Sequence, residues 1–237
     1  MREETMRVAI VENIDGTSLG SVGQALNEAE AECTLFRPRH DGRLPAGPDA
    51  FDALVVLGGE QSAVDDADHR YLEPLSRLMR SYGESDRAVL GICLGAQLLA
   101  RGYGGTNLIG AAPEFGWLNV QTTVAGLSDP VLSSAGAAFP IFQWHRDTFT
   151  LPQGAVHLAE NRGATHQAFR LGRAVYGTQF HFEANRTVVA DWTRDFPEAA
   201  EVMWPGWSAD HAAEEAIHGA KADAAGLALA RAWVSLI

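Results

Sequence analysis

Hydrophobic positions run through this chain in two rhythms, and the change between them near residue 105 is the first guide to its architecture. Up to that point short apolar runs are separated by helix-like stretches, the pattern of a parallel sheet with crossover helices. Residues 7–13 (RVAIVEN), 33–36 (CTLF), 52–59 (DALVVLGG) and 87–92 (RAVLGI) are predicted strands, and stretches 18–31 and 69–82 are predicted helices. The Val, Leu and Ile content of the strands is what a sheet covered on both faces requires. Beyond Gly105 the runs WLNVQTTV, AVHLAEN, HQAFRLG and AVYGTQF read as strands separated by turns such as LPQG and RLGR, which implies an antiparallel or mixed portion. From Asn185 onward the chain is Ala-rich and acidic, broken by Pro197 and by a turn at Pro205, and two or three helices are expected. The whole reads as one three-layer α/β/α domain over residues 1–237. A mostly parallel sheet with a smaller antiparallel portion forms a core over about 7–183, and a helical cover follows over about 185–237.

Composition narrows the function. A chain of 237 residues with 46% hydrophobic content can bury a large core. Its net charge of −12, with no cluster of Lys and Arg, argues against nucleic-acid or anionic-membrane partners. The opening MREETMRVAI turns directly into a strand, with no apolar leader and no span long enough to cross a bilayer, so a cytoplasmic location is expected. Two cysteines, Cys33 and Cys93, make neither a disulfide framework nor a paired metal site; no metal and no cofactor are expected. Cys33 is read as a small buried hydrophobe.

Cys93 stands in a different context. In VLGICLGAQLLARGYGG (89–105) an apolar strand runs through Gly91-Ile92-Cys93-Leu94-Gly95 straight into a helical pattern. This is the form of a nucleophile elbow, a sharp strand-to-helix turn whose flanking glycines prevent collisions. Amides at the start of the following helix can also receive a developing negative charge. A sulfur nucleophile needs a base that works near neutral pH. Of eight histidines, His181 lies where the apolar run ends in GTQFHFE (177–183), and period-two geometry puts Glu183 on the same side to orient the ring.

Taken together, GICLGAQLLA and the downstream GTQFHFE closely resemble the class I, triad-type glutamine amidotransferases, in particular stand-alone members of the GMP synthase-like group. LGGEQSAVDD (57–66), EFGWLNV (114–120) and WHRDTFTLPQGAVHLAEN (144–161) extend the resemblance over most of residues 7–183. It implies a flavodoxin-like fold, a nucleophile at Cys93, a base at His181 and an orienting carboxylate at Glu183. It also implies an oxyanion hole from the backbone N–H groups of Gly59 and Leu94, and substrate contacts at Gly58, Gln97 and His145. For His145 and Trp144, plain core packing fits equally well.

Two positions depart from the family pattern. Phe182 stands where relatives have proline, which removes a fixed φ and predicts a looser meeting of His181 with Glu183. Glu60-Gln61 follows the glycine pair in place of a proline-led turn, and Glu60 is a candidate to bind a substrate ammonium or repel a carboxylate. The activity implied is hydrolysis of the glutamine side-chain amide, a small-molecule substrate. The chain carries no phosphate loop of the GxxxxGK[ST] or SGGxDS type, so any ammonia acceptor belongs to a separate synthetase subunit. Hydrolysis of γ-glutamyl peptides or amides is the alternative. A non-catalytic relative that binds a metabolite or partner is the alternative of another class.

Overall fold

The computed structural model describes residues 5–237. In chain order the elements are β1 (Arg7–Val11), α1 (Gly20–Glu28), β2 (Glu32–Phe36), α2 (Pro38–Asp41), β3 (Ala53–Val56), α3 (Leu72–Glu84), β4 (Ala88–Ile92) and α4 (Leu94–Gly102). Then come β5 (Asn107–Leu108), β6 (Glu114–Thr122), β7 (Ala138–His145), β8 (Thr148–Phe149), β9 (Val156–Glu160), β10 (Ala168–Leu171) and β11 (Val175–Thr178). The last part holds α5 (Arg186–Asp195), α6 (Pro197–Met203), α7 (Trp207–Glu214), a π-helical segment Glu215–Gly219 and α8 (Ala220–Val234).

Nine strands form one sheet in the order β2-β1-β3-β4-β11-β10-β9-β6-β7. The five from β2 to β11 pair in parallel, and the remainder continue the same sheet antiparallel. The change of rhythm near residue 105 follows the change of pairing except at β11, which belongs to the second part of the chain and yet pairs in parallel with β4 to complete the parallel half. Strands β1, β3 and β4 are buried almost throughout, as their unbroken apolar runs require. β2 is the exception. It lies at the sheet edge with four of its five residues exposed, so Cys33 is exposed and the expectation of a buried side chain there is corrected. An edge strand lacks a neighbour on one side, and its hydrophobic composition does not report that.

The other edge, β7, is absent from the strands that the sequence predicts. Pro140 interrupts its alternation and cannot donate to a ladder, which an edge position tolerates. α8 packs on β7 and on α1, which covers that side. The tail contains four α-helices and the π-helical segment, more than the two or three expected. Asn185 caps α5 by accepting from Val188 N–H at 3.1 Å, Pro197 opens α6, and Gly206 at φ +96° turns the chain into α7. No helix among the described residues is long and apolar enough to cross a membrane.

Candidate active site

β4 delivers Cys93 to the carboxyl end of the sheet, where ligands of open α/β folds bind. Cys93 is the residue immediately before α4, at φ 53° and ψ −108°, a conformation an L-residue adopts only at a cost of roughly 1–3 kcal/mol. Two close approaches make the turn possible. A Cβ on Gly95 would come within 2.1 Å of the Val56 carbonyl oxygen, and one on Gly91 within 2.4 Å of the Gly95 oxygen. The flanking glycines thus let α4 start directly against β3. The backbone of Cys93 is held from the next strand, its N–H donating to Thr178 O at 2.8 Å. Leu94, the first helical residue, has no intrahelical acceptor for its N–H.

β11 ends at Thr178, three residues before His181. Bends at Gln179 and Phe180 lead into an isolated bridge in which His181 N–H donates to Phe142 O at 2.9 Å. The side chains of His181 and Glu183 still converge, with Nδ1 donating to Oε1 at 2.7 Å, so the loosening expected from Phe182 is absent. Phe182 is buried and packs edge-on to Phe180 at 6.3 Å; core packing does what proline's ring would do. The imidazole pKa lies well above its ordinary 6.5. Burial pulls it down, and the Glu183 carboxylate and Cys93, acting as charge and hydrogen-bond partners, more than reverse that. The second Glu183 oxygen has no hydrogen-bond partner among the described residues. Gly58 lies against both halves of the pair: a Cβ there would stand 2.9 Å from His181 Cε1 and 3.4 Å from Cys93 Cβ.

These groups open on a cavity of about 650 Å³. Gly58, Gly59, Gln97, His145, Cys93, His181 and Glu183 all line it; Leu94 does not, though it is buried directly beside Cys93. Gln97 is held by Nε2 donating to Gln179 Oε1 at 3.2 Å and to Asp147 O at 3.3 Å. His145 lines the cavity and is also tied into the core. Its Nδ1 meets Asp147 O at 3.0 Å and its Nε2 meets Glu114 Oε2 at 3.1 Å, so pocket lining and core packing both describe this histidine. Glu114 in turn accepts from Gln167 Nε2 at 2.6 Å and Asn161 Nδ2 at 2.5 Å. Glu60 lines the cavity but is largely exposed and pairs with Arg39 at 2.8 Å.

Sequence reading missed one wall. Trp192 and Phe196 follow from α5, Ala199, Val202 and Met203 from α6, and together they close the side of the cavity next to His181. Their spacing carries the mark of any amphipathic helix, so nothing in the sequence separated pocket lining from cover. Among the described residues, no group of three or more His, Cys, Asp or Glu side chains is arranged to hold a metal ion.

The flavodoxin-like fold is shared with solved glutamine amidotransferases. The protein of Thermotoga maritima superposes with a TM-score of 0.84 at 22% identity, covering 98% of this chain and 99% of that one. The protein of Methylobacillus flagellatus gives 0.80 at 25% identity, covering 99% and 96%. The family model described as glutamine amidotransferase class-I matches residues 10–196, and the chain belongs to that family. Among curated relatives, the glutamine amidotransferase-like protein YfeJ of Salmonella typhimurium is 34% identical over 59% of this chain, and the match spans 60% of YfeJ's own length. One component of the glutamine-hydrolysing GMP synthase of Methanosarcina acetivorans is 32% identical over 59% of the chain and 68% of that component.

Proposed function

We propose that the chain hydrolyses the side-chain amide of glutamine to glutamate and ammonia, with Cys93 as nucleophile, His181 as base and acid, and Glu183 orienting the ring. The observation that carries this is the juxtaposition of a strained Cys93 at a helix start with an imidazole whose other nitrogen is held by a carboxylate at 2.7 Å. The Cys93 sulfur attacks the amide carbon and a C–S bond forms, with the Gly59 and Leu94 amides donating to the oxyanion. As the C–N bond breaks, His181 passes its proton to the departing ammonia. Water, deprotonated by the same ring, then cleaves the thioester and restores the thiol. This half-reaction is complete with the side chains named, and the ammonia passes to a separate synthetase subunit, as the kinship with one component of a GMP synthase suggests. Residues 1–237 act as one amidotransferase unit in this reading, working in the cytoplasm.

Cys93→Ala is expected to lower ammonia release from glutamine by about 10⁵-fold or more, with an unchanged circular dichroism spectrum. Covalent labelling of Cys93 by a glutamine-analogue affinity reagent separates this reading from a non-catalytic binding protein. Turnover that survives the substitution, or a Cys93 that resists the label, would sink the proposal.

A further inference from the structure

The two edges of the nine-stranded sheet are guarded unequally. β7 carries Pro140 within the strand, and α8 packs on it. β2, Glu32-Cys33-Thr34-Leu35-Phe36, has neither a proline nor a lysine, and its register with β1 runs without a bulge. Glu32, Cys33, Thr34 and Leu35 are all exposed although successive side chains alternate between faces, and Leu35 leaves 46% of its surface open. The backbone groups that face outward follow from the ladder. Glu32 N–H donates to Met6 O at 2.8 Å, and Phe36 O accepts from Glu12 N–H at 3.0 Å. Residues 32, 34 and 36 therefore turn both backbone groups to β1, while Cys33 and Leu35 turn theirs to the outside.

The flanks of this open strand carry opposite charges. Glu30 and Glu32 stand exposed at its amino end and form no ion pair among the described residues. Arg37, Arg39 and Arg43 stand exposed past its carboxyl end. Arg37 meets Glu12 through Nε alone, and Arg43 forms no ion pair among the described residues. An edge that is acidic at one end and basic at the other complements itself when a second copy lies antiparallel to it.

We infer that β2 pairs antiparallel with β2 of a second copy of this chain, about a two-fold axis through Thr34. Cys33 of each copy then faces Leu35 of the other, and the outward N–H and C=O groups of both residues are satisfied. Glu30 and Glu32 of one copy lie alongside Arg37 and Arg39 of the other, on both sides of the axis. A slip by two residues sets Cys33 or Leu35 against its own copy and carries the other beyond the strand. Parallel addition brings like charges together. Each copy spends its one open edge, and α8 covers the opposite side, so assembly stops at two. The carboxyl ends of the two sheets point in opposite directions, and both cavities stay accessible.

The test is sedimentation equilibrium of the full chain at about 0.1 mM, where even a dimer of micromolar Kd is nearly complete. A mass twice 25.5 kDa is expected, with Kd rising about tenfold from low to high salt. Thr34→Lys sets two ammonium groups against one another on the axis and should give monomers with an unchanged circular dichroism spectrum. In a Cys33→Ala background, Thr34→Cys should form a disulfide-linked dimer on mild oxidation, because directly opposed residues at such a position stand about 4.5 Å apart between Cα atoms. Glu32→Cys in the same background should not. A monomeric wild type, an assembly larger than a dimer, a dimer that survives Thr34→Lys, or cross-linking at residue 32 in preference to 34 overturns the proposal. A Kd indifferent to salt overturns the charge pairing.

Discussion

Two buried histidine–glutamate pairs each set a histidine on the cavity wall, and they differ in what the second ring nitrogen does. His145 meets Glu114 at one nitrogen and the Asp147 carbonyl at the other, and both partners are acceptors. Its ring is fully committed, and Glu114 is further fastened by Asn161 and Gln167. His181 spends only Nδ1 on Glu183, and Cys93 is its other electrostatic partner. One pair braces the β6–β7 end of the sheet; the other is available for proton transfer. Burial and pairing alone do not set one histidine apart from another; a second ring nitrogen that meets a sulfur instead of a backbone carbonyl does.

Glu183→Gln gives the largest expected break in this contrast. It keeps the shape but removes the charge that orients the ring, and kcat for amide hydrolysis should fall by about 10²–10⁴-fold. Glu114→Ala acts on the other pair and should be read in stability. Leaving His145, Asn161 and Gln167 without their common acceptor should cost about 3 kcal/mol in urea unfolding, while kcat falls far less than in Glu183→Gln. If Glu114→Ala silenced the enzyme without destabilising it, the two pairs would have exchanged roles.

The pH dependence sharpens the same contrast. The folded-state pKa of His181 is raised above its ordinary 6.5, so the protonated ring stabilises the fold. That contribution is whole at about pH 6 and is lost as pH rises through the folded value. The stability gap between wild type and Glu183→Gln should therefore narrow with rising pH, and the imidazole of Glu183→Gln should titrate lower by NMR. A gap that widened with pH would contradict the assignment. Glu60→Gln marks the small end of the series. Glu60 is 58% exposed and already paired with Arg39, so KM for glutamine should stay within about twofold.

The elbow was legible from sequence because strain demands particular residues: Gly91 lies where β4 meets the first turn of α4 and Gly95 where α4 meets β3, both too closely for a Cβ. The His181–Glu183 spacing was legible too, although the chain between them bends where an extended strand was expected. What escaped was set by neighbours distant in sequence. Cys33 looks like a core residue until the sheet order leaves β2 at the edge. β7 hides behind Pro140, and the pocket wall of α5 and α6 has the same pattern as any helix packed on a sheet.

The segment carrying Glu183 is braced from both ends of the chain. The Glu183 carbonyl accepts from Ser21 N–H at the start of α1, at 2.9 Å. α8 presses its backbone so close to the Phe182 carbonyl that a Cβ on Gly226 would approach within 2.4 Å, and Arg231 ties α8 to Glu28 of α1 at 2.7 Å. A nascent polypeptide that has not yet released residue 226 from the ribosome lacks this clamp, so the turn at residue 93 leaves the ribosome long before the segment at residue 183 is braced in place.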